Sequence, residues 1–273
     1  MEFRTPVNIQ KPPFSIEPME QILMVGSCFA DHIGQRFKDD CFHATGNPFG
    51  VMYNPVSILH TVERCNEAPR VAFFTLGTNH VYRLKETGEI VDNCEKRPQR
   101  LFQEEELSIS GCCEALQRAV DLLTSRRADV QVVLTVSPIR YAKYGYHGSQ
   151  LSKAVLLLAA NELVKNNANV HYFPAYEIVN DELRDYRFYT PDMLHPTEQT
   201  VDYIWQRLSE TYFSDATHRF LSEWHPIKAV LAHKPFHPDS QEYRALMDKT
   251  MLKVAALYKK YPTFVFKNHT DNE

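Results

Sequence analysis

The 273-residue chain carries 30 basic and 34 acidic side chains, a net charge of −4 that offers no basic face to a phosphate backbone and argues against nucleic acid as a partner. A hydrophobic fraction of 44% with only nine glycines describes a globular protein with a sizeable core, and no apolar run is long enough to span a bilayer. The N-terminus lacks the charged start and apolar core of a secretion signal, and the six cysteines form neither a C-x-x-C pair nor a Cys/His ligand pattern, so the expected setting is the cytoplasm with reduced thiols.

Residues 1–20 hold four prolines and little periodicity, which predicts an extended arm laid over the domain. An apolar strand over 22–25 then ends at Gly26, and a helix is predicted over 29–38, with Phe29, Ile33 and Phe37 forming one stripe. A short strand at 41–44 leads into the turn-rich Gly46-Asn47-Pro48-Phe49-Gly50, and Asn54-Pro55 opens a helix that runs to about 65. The third apolar run, 71–76, stops at Gly77-Thr78-Asn79-His80. Segments 81–84 and 89–92, with Gly88 between them, read as a β-hairpin inserted into an otherwise alternating pattern.

A helix follows over 108–126, striped by Cys112, Leu116, Ala119, Leu122 and Leu123. The run 130–136 is the most apolar and β-branched of the chain and is predicted as the central strand. After it come a polar, aromatic loop at 141–149, a helix over 150–165, a strand over 170–173, a long charged loop at 181–196 and a helix over 197–212. In the tail, helical periodicity covers 241–260, and 263–266 has strand-like chemistry.

Strand–helix alternation of this kind predicts an α/β fold, a three-layer α/β/α sandwich around a parallel, flavodoxin-like sheet, with a C-terminal helical appendage. The expected division is a main domain over 1–220, arm included, and an extension over 221–273 packed on it. In such folds ligands sit at the carboxyl ends of the strands, here the loops that begin at Gly26, Gly46, Gly77, Ser137 and Asp181.

Ser27 and Cys28 stand side by side at the first of those ends, where a helix N-terminus supports developing negative charge. A serine nucleophile needs an imidazole to take its proton and a carboxylate to orient that imidazole. Three Asp-x-x-His spacings occur: Asp40/His43, Asp192/His195 and Asp215/His218. The first lies at the far end of the sheet and the last lies in the tail, so only Asp192/His195 shares an edge with Ser27. Strand-to-helix geometry turns neighbouring side chains apart, so with Ser27 toward the cleft the Cys28 thiol is expected to face the packing.

The stretch Gly26-Ser27-Cys28-Phe29-Ala30 resembles the signature of the GSCFA family, a branch of the SGNH (GDSL-like) hydrolases. Asn47-Pro48-Phe49-Gly50, Gly77-Thr78, Ser137-Pro138-Ile139-Arg140 and Arg184-Asp185-Tyr186-Arg187-Phe188-Tyr189 resemble further segments of it in the same order, over about residues 1–220. The resemblance implies a serine nucleophile at Ser27, with His195 as base and Asp192 as its orienter. It also implies an oxyanion hole drawn from the backbone of Ser27 or Cys28 and of Gly46 or Gly50. An asparagine side chain would complete it: Asn79 fits the Gly-x-Asn pattern, while Asn47 and Asn54 are alternatives. The SGNH superfamily's common Gly-Asp-Ser is departed from here, Gly26-Ser27 being preceded by Val25 and followed by Cys28.

Arg140, following strand 130–136, could clamp an anionic group or form a salt bridge, and His147 borders the same loop as a substrate-pocket candidate. The tail histidines His225, His233 and His237 are irregularly spaced and define no metal site. The expected activity is hydrolysis of an ester-linked acyl group, such as acetyl, on a small molecule or carbohydrate, without metal or organic cofactor. Acyl transfer to a carbohydrate by the same triad and a non-catalytic scaffold are the alternatives.

Overall fold

The computed structural model describes residues 4–92, 94 and 97–266; the first three residues of the arm and 267–273 of the extension lie outside them. Strand β1 (Gln21–Gly26) is followed by helix α1 (Cys28–Asp39), strand β2 (His43–Gly46), helix α2 (Pro55–Arg64) and strand β3 (Val71–Leu76). Asn54 starts α2 as predicted, its side chain accepting from the Ser57 N–H while Pro55 fills the first helical position.

Beyond β3 the chain leaves the main sheet to form β4 (His80–Leu84), β5 (Ile90–Val91) and β6 (Phe102–Glu106), a small antiparallel sheet in the order β5-β4-β6. The predicted hairpin is therefore two thirds of a three-stranded unit. The third strand, Phe-Gln-Glu-Glu-Glu, is held partly by charge: Arg83 meets Glu105 at 3.0 Å and Lys143 meets Glu104 at 2.9 Å.

Helix α3 (Ile109–Arg126), strand β7 (Gln131–Val136), helix α4 (Gly145–Asn166) and strand β8 (Val170–Tyr172) restore the alternation. Most of the predicted loop at 141–149 is helical, a short turn at Ala142–Tyr144 and then the start of α4. After β8 come the short turn α5 (Ala175–Glu177), a π-helical segment at Ile178–Leu183, and helices α6 (Glu198–Tyr212), α7 (Asp215–Ala232) and α8 (Gln241–Lys260). Helix α7 was not predicted and runs through the expected domain boundary at 220, and no strand forms over 263–266.

The main sheet is parallel throughout, in the order β2-β1-β3-β7-β8. The central strand is β3, with β7 beside it, which corrects the prediction that 130–136 holds the centre. Every residue of β3 is buried, so its core environment matches that of β7 and composition could not rank the two. Alternate side chains feed two cores. Ile22, Met24, Phe73 and Val133 pack with α1, α6 and α7, while Leu23, Val25, Phe74 and Leu134 pack with α2, α3 and α4. Phe220, Trp224, Val254, Leu257 and Phe264 join the first of these cores, and the indole of Trp224 donates to the Asp39 carbonyl at 3.0 Å, which ties the C-terminal helices to the end of α1.

The chain reverses direction across the sheet at β1: β2 lies on one side of it and β3 on the other. A crevice opens at the carboxyl ends of two such strands. Strand β8 ends at Tyr172, so the loop at its carboxyl end begins at Phe173 rather than at Asp181.

Candidate functional site

At the carboxyl end of β1, Gly26 has φ 144°, and a Cβ there would lie 2.2 Å from the Thr75 carbonyl oxygen of the neighbouring strand. That close approach lets the Ser27 N–H donate to the Thr75 oxygen at 3.1 Å and sets the Ser27 Oγ 3.2 Å from Thr75 Oγ1. Ser27 occupies the capping position of α1 without capping it, and is 0% exposed. Cys28, the first residue of α1, is only partly buried. The Ser27 hydroxyl is thus enclosed against Thr75, and Cys28, partly buried, packs against the core of α1 and α6 as expected.

Burial pushes the Cys28 thiol above its ordinary value of 9.0. The backbone N–H groups of Cys28 and Phe29 oppose that rise, Asp31 adds to it and Lys153 opposes it. Lys153, on α4, is 2% exposed, and its Nζ donates to the carbonyls of Gly77 at 2.7 Å and Ser137 at 2.8 Å. Those carbonyls sit at the carboxyl ends of β3 and β7, so one buried amine pins two strand ends together. Among the described residues no carboxylate pairs with it, and burial lowers its pKa to about 7.

Asn47 clamps the turn. Its Oδ1 accepts from the Gly26 N–H at 2.9 Å and its Nδ2 donates to Asp31 at 2.7 Å. Gly50 closes the same turn at φ 92°, its N–H donating to the Asn47 carbonyl at 2.9 Å. Asn79 spends its Nδ2 on the Leu107 carbonyl at 2.8 Å and its N–H on Ser152 Oγ, while its buried Oδ1 has no hydrogen-bond partner among the described residues. Asn54 is committed to α2. These groups shape the crevice; the hydrogen-bonding capacity expected of them for an oxyanion is engaged within the fold.

Asp192 and His195 lie in the loop before α6. The Asp192 carboxylate takes four hydrogen bonds: Thr190 Oγ1 at 2.6 Å, the N–H groups of Leu194 at 2.8 Å and His195 at 3.1 Å, and His195 Nδ1 at 2.6 Å. The Thr190 bond, then that to His195, then the two N–H groups hold its pKa well below the ordinary carboxylate range. With Nδ1 engaged, Nε2 is the nitrogen left for chemistry, and both side chains are 44% exposed.

Arg140 fixes this loop to the end of β7: its N–H donates to the Leu194 carbonyl at 3.0 Å and its guanidinium to the Met193 carbonyl at 2.9 Å. Its guanidinium lies 4.3 Å from the ring centroid of Tyr146, 5.5 Å from Tyr189 and 5.8 Å from Tyr186. It anchors the loop, and of the two roles left open for it, anion clamp or salt bridge, it makes no salt bridge among the described residues. His147 is exposed in the first turns of α4. Of the other Asp-x-x-His pairs, Asp40 bonds His225 and Lys228 rather than His43, and Asp215 and His218 lie on α7.

Three features of the crevice were not singled out from sequence: Lys153, Tyr53 and Tyr141. Tyr141 has a buried hydroxyl with no hydrogen-bond partner among the described residues. A Cβ on Gly77 would lie 2.5 Å from that hydroxyl and 2.8 Å from the Tyr53 carbonyl, so only glycine fits beneath it. An apolar stripe signals a helix, but nothing in the spacing of a lone tyrosine marks a missing partner.

The sequence profile of the GSCFA family matches residues 21–71 and 66–208, and that of the GSCFA domain protein C-terminal domain matches 224–271. Comparison with curated proteins returns no match. Among solved structures, the chain is similar to a candidate platelet activating factor from Streptococcus pneumonia, at 16% identity over 71% of this chain and 84% of that one, with TM-score 0.49. A candidate acylhydrolase from Bacteroides fragilis aligns at 13% identity over 77% and 91%, with TM-score 0.48. The Clostridium thermocellum family 3 carbohydrate esterase aligns at 13% identity over 70% and 94%, with TM-score 0.42.

Proposed function

The chain belongs to the GSCFA family, and we propose that it hydrolyses an ester-linked acyl group with Ser27 as nucleophile, His195 as base and Asp192 as orienter. The observation that carries the reading is the Asp192 carboxylate, fixed by four hydrogen bonds with one oxygen 2.6 Å from His195 Nδ1. That contact fixes the tautomer in which Nε2 accepts a proton, and it supports the imidazolium that forms when a nucleophile gives its proton up. The helix dipole of α1 and the N–H groups of its first turn favour the negative charge that develops on the acyl oxygen.

We take the substrate to be an ester on a carbohydrate hydroxyl, acetyl being the smallest acyl group of this class. The support is the aromatic rim around the His195 loop, where Tyr146 is 53% exposed and Tyr186 is 66% exposed, faces suited to the C–H side of a sugar ring. Residues 1–220 are read as the hydrolytic unit and 221–273 as an extension; the core that α7 and α8 share with α1 and α6 supports the packing of the one on the other.

Acetate release from p-nitrophenyl acetate and from acetylated mono- and oligosaccharides tests the reading. His195→Ala should lower kcat by about 10²- to 10⁴-fold, the range for a general base. A panel without turnover by the wild-type protein, or a His195→Ala protein as active as wild type, would overturn the hydrolase in favour of a binding module.

A further inference from the structure

The rim beside His195 is built around a cation that the fold leaves open. Arg140 is half-buried, and among the described residues its guanidinium makes one hydrogen bond, from Nη1 to the Met193 carbonyl at 2.9 Å. The carboxylates of the neighbouring segments are committed elsewhere. Asp192 is spent on Thr190, Leu194 and His195, Asp185 meets Arg187 at 3.6 Å, and Glu177 accepts from the Tyr172 hydroxyl at 3.0 Å. A half-enclosed guanidinium with no counter-ion and with N–H groups to spare keeps its charge available to an anion from outside.

Three tyrosines fix where that anion meets the protein. The guanidinium lies 4.3 Å from the ring centroid of Tyr146, 5.5 Å from Tyr189 and 5.8 Å from Tyr186. An arginine already held between aromatic faces and a carbonyl loses little further freedom when its fork takes up a ligand. The same cage borders the proposed base on both sides in the chain. Arg140 donates its N–H to the carbonyl of Leu194, which precedes His195, and Tyr189 pairs across a β-bridge with Pro196, which follows it. Tyr146 and Tyr186 touch the guanidinium and still expose more than half of their surface, so ring faces for a sugar and a cation for an acid stand side by side.

We propose that the Arg140 cage is a subsite for a carboxylate on the sugar, so that the ester substrate is an acylated uronic acid rather than a neutral carbohydrate. The proposal deepens the hydrolase reading above and rests on it for the chemistry at His195. The carboxylate takes guanidinium N–H groups that Met193 leaves open, in the two-point geometry that a planar fork favours. The sugar ring lies against Tyr146 or Tyr186, with its acyl group toward Nε2 of His195. A chain of net charge −4 has no general attraction for an anion, so any preference for one is local to this cage.

Acetate release from O-acetylated glucuronic acid and from the matching O-acetylated glucuronamide tests the subsite, because the two differ in charge and little in shape. The wild type should show a kcat/KM at least about tenfold higher for the acid, with the difference in KM. Arg140→Gln should abolish that preference, and Arg140→Lys, which keeps a charge without the fork, should keep part of it. Arg140 also anchors the His195 loop, so the quantity read is the ratio between the two substrates. A mere anchor would lower both turnovers together and leave the ratio unchanged, and that result would overturn the subsite. A wild type that handles acid and amide alike would overturn it too, and a preference for acetylated glucose 6-phosphate over the uronic acid would replace the carboxylate with a phosphate. Calorimetry with free glucuronate and glucuronamide needs no turnover: the wild type should bind the acid at least about tenfold more tightly, and Arg140→Gln should bind both alike. Acid-selective, Arg140-dependent binding with no acetate released from either ester would sink the hydrolase reading and leave the subsite standing. Turnover of both esters without acid selectivity would do the reverse.

Discussion

Replacing Lys153 with methionine should remove a pH-dependent cost from the stability of the fold. The amine is 2% exposed, donates only to the Gly77 and Ser137 carbonyls, and titrates near 7 instead of 10.5 because burial disfavours its charge. A folded-state value below the unfolded one means that the unfolded chain binds more protons between those limits, so stability rises with pH across that window. The penalty is complete below about pH 7 and absent above about 10.5, and the gap corresponds to roughly 5 kcal/mol in all at about 1.4 kcal/mol per pH unit. About 3 kcal/mol of it falls between pH 6 and pH 9. Urea unfolding of wild type and Lys153→Met at several pH values isolates the effect, because other titrating groups cancel in the difference. The wild type should gain about 3 kcal/mol on the variant from pH 6 to pH 9, on top of a constant offset from the two lost hydrogen bonds. A difference that stays level with pH would refute the argument and imply that Lys153 finds water or a counter-charge.

Gly26→Ala should cost roughly 3 kcal/mol or more, since φ 144° and a Cβ 2.2 Å from the Thr75 carbonyl oxygen cannot be relieved without moving β3; urea midpoints measure it, and a loss under about 1 kcal/mol would contradict the geometry. Thr190→Val removes the strongest of the bonds that lower the Asp192 pKa. Because that pKa lies below the ordinary 3.8, the associated stability is present above about pH 4 and lost as pH falls through the lower folded value. In thermal scans the variant should therefore melt below wild type at pH 6, with the gap starting to shrink only below about pH 4 and closing as pH falls through the lower folded value, and its ester turnover at neutral pH should fall by about tenfold as the imidazole loses its fixed partner.

The elements legible in the sequence were those whose burial repeats with their own period. The stripe Phe29, Ile33, Phe37 placed α1, and the runs before Gly26 and Gly77 placed β1 and β3. Helix α7 carries Phe220, Leu221, Trp224 and Ile227 at helical spacing, but Pro226 and the polar residues around it interrupt the pattern; only packing against α1 and Phe264 sustains it. Strand β6 has no apolar alternation because it is held by pairing to β4 and by charge at a solvated face. The Asp192/His195 pair and the turn at 26–28 were legible too, but the enclosure of the Ser27 hydroxyl was not, because it depends on Thr75 of a strand far along the chain.

Asn47 shows why a residue can be found for one reason and matter for another. Its type and place in the second loop suggested an oxyanion donor, but both ends of its amide are committed, one to the Gly26 N–H and one to Asp31. A side chain bonded at both ends, held at φ 39° by a turn that Gly50 closes, fixes the turn at 26–28 against the first helical turn of α1 before any ligand arrives. At the start of α1 the Ser27 N–H is spent on the Thr75 carbonyl and the Ala30 N–H on the Ser27 carbonyl, so the turn is held from both sides. An amide engaged at both ends inside the fold sets the shape of the turn and leaves any contact with a ligand to other groups.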